Sequence, residues 1–106
     1  MYTSFIKKIF FILIILIFNK QSQADEKMNL GQEVFKNKAM CGTCHILKAA
    51  ESYGEIGPNL DQIKPSIDTI IYTVTNGIGV MQSWDGILTK EEIEAVAYYV
   101  FNKTNK

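Results

Sequence analysis

Five consecutive residues carry the most distinctive chemistry of this sequence: Cys41-Gly42-Thr43-Cys44-His45. They include both cysteines and the single histidine of a 106-residue chain. Thiols at this spacing serve three kinds of chemistry. One is a structural disulfide, but a bridge across two intervening residues closes a tiny loop and removes little entropy from the unfolded chain. A second is a redox dithiol, which uses a βαβ framework; residues 25–106 show no alternating strand pattern of useful length. The third is covalent attachment of c-type haem, for which Cys-x-x-Cys-His is the pattern. Two thiols so spaced add to the vinyl groups on neighbouring edges of the macrocycle, and the next residue's imidazole then lies under the iron. Zinc requires about four ligands, more than two cysteines and one histidine supply. The motif therefore predicts one covalent haem c with its iron, bound through Cys41, Cys44 and His45.

A sixth iron ligand must come from elsewhere. A second histidine is excluded, since His45 has no companion. Met40 adjoins an attachment cysteine and cannot wrap to the opposite face of the ring, and Met28 lies at what reads as the frayed start of the domain. Met81 stands 36 residues beyond His45, in Asn76-Gly-Ile-Gly-Val-Met-Gln-Ser-Trp84 between two helical segments. Gly77 and Gly79 give that backbone the freedom to bring a loop close to a flat cofactor. Met81 is thus the expected distal ligand, an ordinary core methionine being the alternative. Met/His ligation raises the reduction potential.

The elements that must position these residues are helical. Leu30, Val34 and Phe35 define a short first helix over residues 30–38. Residues 46–65, with Tyr53-Gly54, Gly57-Pro58-Asn59 and Pro65, form a loop with a helical turn near 47–51. Ser66 caps a helix carrying Ile67, Ile70, Ile71 and Val74 on one face, and Asn76-Gly77 ends it. Thr89-Lys-Glu-Glu92 has the spacing of a capping box; the last helix runs to about Asn102 with Ile93, Val96, Ala97 and Val100 inward. The fold class is all-α: three to four short helices around one buried haem.

The ends of the chain differ in character. Lys7 and Lys8 precede an unbroken apolar run over residues 9–18, followed by a polar stretch in which Ser22 and Ala24 are placed like the small residues of a cleavage site. This describes a secretory signal peptide over residues 1–24; a spanning helix needs roughly 20 apolar residues. Retention as an uncleaved anchor is the alternative. The single-haem domain is then residues 25–106, with a net charge of −3, exported to a bacterial periplasm. No basic footprint points to nucleic acid.

With these residues in place, the chain resembles the small class I cytochromes c, especially bacterial single-haem carriers of the c5/c6 type. Gly31 and Phe35 match the glycine and aromatic of that family's N-terminal helix, and Tyr99 the aromatic of the C-terminal helix crossing it. Gly57-Pro58-Asn59-Leu60 looks like the loop behind the proximal histidine, where by resemblance the Pro58 carbonyl accepts a hydrogen bond from His45. One departure stands out. The family usually has proline after the distal methionine, and this chain has Gln82, which loses the fixed φ of proline and implies a less firmly held Met81. Trp84 keeps the aromatic position. Residues 54–60 and 76–81 also look like the haem c subunit of periplasmic sulfite dehydrogenases.

The resemblance implies an electron carrier rather than an enzyme, working with redox proteins such as a dehydrogenase or terminal oxidase, as a monomer or in transient complexes. Two alternatives remain: a fixed haem c subunit of a dehydrogenase, and a five-coordinate site that binds gases or reduces peroxide. Lys36, Lys38, Lys48 and Lys64 near the motif, with Asp85, Glu91, Glu92 and Glu94 elsewhere, suggest a dipole that orients docking.

Overall fold

The computed structural model describes the backbone of residues 2–106 and the side chains of residues 3–14 and 22–106. Four α-helices dominate: α1 (Tyr2–Glu33), α2 (Leu60–Ile63), α3 (Ile67–Asn76) and α4 (Lys90–Thr104). The part of the apolar run at residues 15–18, and Lys20, lie outside the described side chains.

The first helix differs from expectation. It begins not near Leu30 but at Tyr2, and runs unbroken through the proposed cleavage region before closing in a π-helical turn, Val34–Lys38. The polar stretch of residues 19–29 contains neither glycine nor proline, so nothing in the backbone interrupts helical propagation. Met28 consequently sits in regular helix, half-buried against the core, rather than at a frayed start. Among the described residues, no helix is long and apolar enough to cross a membrane. Phe5, Ile6, Ile9, Phe10, Phe11, Ile12 and Leu13 are all exposed.

The core lies where α1 meets α4. Val34, Phe35, Val96 and Tyr99 are almost wholly buried there, and the Phe35 and Tyr99 rings pack tilted at 49° with centroids 5.8 Å apart. Gly31 makes the crossing possible. A Cβ at this position would strike the Ala95 carbonyl oxygen and come within 2.6 Å of Tyr99 Cβ. The match of Gly31, Phe35 and Tyr99 to a helix crossing is therefore realised in space. Helix α3 adds Ile70 and Val74 to the same cluster, with Ile67 and Ile71 half-buried beside them.

The caps follow the residues that predicted them. The Ser66 side chain accepts from Thr69 N at the start of α3, and Thr89 and Glu92 form a reciprocal capping box at α4. Two features were not anticipated. Helix α2 is a single turn capped by Asn59, whose side chain accepts from the Asp61 and Gln62 amides; one turn carries no periodicity to detect. A small antiparallel hairpin, β1 (Ile46–Leu47) with β2 (Ser52–Tyr53), flanks the 3-10 turn Lys48–Ala50 that meets the expected helical turn near 47–51; its two strands stand where loop was expected. Strands of two residues cannot show alternation, and this pair is stabilised locally: Ser52 Oγ bonds both the amide and the carbonyl of Leu47.

Candidate haem site

The π-helical turn ends with Ala39 N donating to Val34 O at 2.8 Å, and Met40 then takes a left-handed conformation that turns the chain into the Cys41–Thr43 3-10 turn. Within the turn, Cys44 N and His45 N both donate to Cys41 O. Both thiols and the imidazole therefore belong to one tight turn, as attachment to a single macrocycle requires. The hairpin backs it. Gly54 N donates to Gly42 O at 3.2 Å, and a Cβ at Gly54 would collide with the Thr43 carbonyl and lie 2.7 Å from Cys44 N. Burial, with a smaller opposing backbone hydrogen bond, pushes the Cys41 thiol up to about 11. A nucleophilic redox dithiol has its attacking thiol shifted in the opposite direction.

His45 is half-buried, and its Nδ1 lies 2.7 Å from the Pro58 carbonyl oxygen. With Nδ1–H donating there, the tautomer leaves the Nε2 lone pair free for a metal. The neighbouring glycine fixes the ring from its face: a Cβ on Gly57 would stand 2.6 Å from His45 Cε1 and 2.9 Å from Nδ1. The loop is anchored by Gly57 N to Cys44 O at 2.7 Å, by the Asn59 cap of α2, and by Lys48 N to Asp61 Oδ2 at 2.9 Å. Gly57 was read from the sequence only as a loop residue; its role as a backbone wall against the imidazole becomes visible in three dimensions.

Met81 ends a tight two-residue turn in which Ile78 N donates to Met81 O at 3.1 Å and Met81 N to Ile78 O at 2.9 Å. Gly79 takes a positive φ of 54° at the first central position, as turns of this kind require. Gly77, with φ 74°, lies against the segment that follows: a Cβ there would come within 2.6 Å of Met81 O and 2.7 Å of Ser83 N. Met81, Trp84, Cys41, Leu60 and Ile71 are each half-buried against the one core cluster.

The donor set fits haem c. It comprises two thiols on one turn, an imidazole oriented through Nδ1, and a thioether on a defined turn. The surrounding segments also carry an unusual load of uncovered apolar side chains: Tyr53, Ile56, Ile63, Tyr72, Ile78 and Val80 are each more than half exposed, Val80 at 92%. Apolar surface concentrated on the segments around a donor set is what an apolar macrocycle would cover. One electrostatic expectation needs correction. Lys38 does not stand apart from the acids of α4; its Nζ forms an ion pair with Glu92, joining the π-helical turn to α4.

Residues 26–100 match the family described as cytochrome C oxidase, cbb3-type, subunit III. Among curated proteins, the chain is 32% identical over 103 residues to a chloroplastic cytochrome c6 of Chlamydomonas reinhardtii, covering 85% of this chain and 64% of that protein. It is 34% identical to cytochrome c6 of Chlorolobion braunii, covering 70% of this chain and 88% of the relative. Among solved structures, the c-type cytochrome SorU from Sinorhizobium meliloti superposes with a TM-score of 0.71 at 48% identity, over 77% of this chain and 95% of that one. The chain belongs to this family of small class I c-type cytochromes, with the cytochrome c fold and a covalently bound haem c.

Proposed function

We propose that the protein is a periplasmic one-electron carrier in which Cys41 and Cys44 bind the haem through thioethers and His45 and Met81 ligate its iron. The observation that carries this reading is the fixed imidazole: Nδ1 held by Pro58 and the ring face walled by Gly57, which present Nε2 at a defined position. Haem c, when bound, supplies an iron that exchanges one electron between the ferric and ferrous states. The chain's own residues keep that exchange simple. Pro58 holds the His45 ring in one orientation in both states, and the turn at 78–81 does the same for Met81, so neither ligand needs to be exchanged. The apolar side chains of Ile56, Ile78 and Val80 disfavour added positive charge nearby, which raises the potential. Electrons pass by docking of a redox protein, in encounters burying less than about 1,200 Å².

Export rests on residues 1–24, whose basic start, apolar run and small-residue exit support a signal peptide and periplasmic location. A second reading is the haem c subunit of a periplasmic dehydrogenase of the sulfite-oxidising kind. The residue strings at 54–60 and 76–81 favour it. Titration of the holoprotein against redox mediators tests the carrier function: a reversible one-electron wave without peroxide turnover supports it, whereas peroxide reduction overturns it. Co-purification with a molybdenum-containing dehydrogenase would favour the second reading.

A further inference from the structure

The residue after the proposed distal ligand is Gln82, where the family usually places a rigid proline, so the firmness of Met81 must come from other bonds. The C-terminal end of α3 supplies them. A helix leaves its last carbonyls without intrahelical partners. Ile78 N, which would continue the helix onto Val74 O, instead donates to Met81 O. Val74 O accepts from Trp84 N at 2.9 Å, and Thr75 O accepts from the Ser83 hydroxyl, whose oxygen in turn takes a long bond from Asp85 N at 3.4 Å. The helix end and the methionine strap thus complete each other's hydrogen bonds. Gly77 provides the seat beneath residues 81–83.

We propose that Ser83 is a positioning residue for Met81: its hydroxyl bond to Thr75 O ties the strap to α3 and replaces the stiffness that proline would supply at position 82. The inference rests on Met81 being an iron ligand. Ser83 does not touch the iron site; it acts through Gln82, the one residue between it and Met81. Gln82 N–H makes no hydrogen bond among the described residues, so proline there would forfeit none.

The test uses ferric holoprotein, the far-red sulfur-to-iron charge-transfer band, and imidazole as a competitor for the Met81 coordination position. A net hydrogen bond of ordinary strength corresponds to a several-fold change in an equilibrium. Ser83→Ala should therefore lower the imidazole concentration that half-abolishes the band by about threefold or more. Ser83→Thr should retain the parent value, and Gln82→Pro added to Ser83→Ala should restore it. Thermal unfolding of each variant separates the two roles: a purely structural hydroxyl would lower the melting temperature and leave the imidazole midpoint where it was. An unchanged midpoint in Ser83→Ala, with the band present in the parent, overturns the role of Ser83 alone. Absence of the band in the parent overturns Met81 ligation and the role of Ser83 with it.

Discussion

At the scale of single residues, the site is governed by close approaches that only particular side chains permit. His45 is held by one hydrogen bond and one backbone wall, and the wall is as demanding as the bond. Gly57→Ala would put a methyl group 2.6 Å from His45 Cε1, well inside van der Waals contact, so the ring must tilt away from Pro58. The expected result is a holoprotein with a weakened His45–iron bond, seen as a high-spin component in the ferric optical spectrum and a lower yield of folded protein. An unaltered low-spin spectrum would show that the loop yields instead of the ring. The Cys-x-x-Cys-His motif and Met81 stand out as candidates because cysteine, histidine and methionine are rare residue types in this chain. Gly57 was not, since a glycine beside a proline reads equally as a turn.

Among the elements, caps and apolar periodicity marked α3 and α4 correctly at both starts, Ser66 and Thr89, because a cap is a local bond between neighbours in sequence. The α1–α4 crossing was legible through Gly31 and Tyr99 only by resemblance; no local pattern reveals that a glycine must admit a carbonyl from 64 residues away. Helix α2 and the hairpin escaped because one helical turn and two-residue strands are shorter than any period. Lys38–Glu92 is a bond of the same long-range kind. The Lys38 hydrogen bond and, next, the Thr89 amide hold the Glu92 carboxyl below its ordinary range. A depressed carboxylate pKa contributes stability above the unfolded-state value and loses it as pH falls through the folded-state value. Lys38→Ala should thus destabilise the holoprotein by about 0.5–1 kcal/mol at pH 7. The difference from the parent should disappear at acid pH, once Glu92 is protonated. Urea unfolding at both pH values measures this, and an equal deficit at both would mean that Lys38 acts by packing.

The whole molecule is 67 Å long, an extent that a helical domain of this size reaches only because α1 extends far beyond the core. The proposed signal peptide coincides with that extension. Its N-terminal apolar residues from Phe5 to Leu13 lie exposed, with no role in the cluster around Phe35 and Tyr99. Mass spectrometry of the exported protein should therefore find a chain starting at Asp25 and carrying one haem. A chain retaining residues 1–24 would identify that stretch as an anchor. The continuity of α1 was not legible beforehand, because charge and hydropathy divide the segment at Ala24 while the backbone has no reason to break there.

The central claim is that His45 and Met81 ligate one iron, and the ferric optical spectrum of matured holoprotein, before and after Met81→Ala, tests it most directly. The account predicts a low-spin c-type spectrum with a far-red charge-transfer band, lost in Met81→Ala together with a fall in reduction potential. A high-spin ferric spectrum in the parent, shifting readily with cyanide, would contradict it.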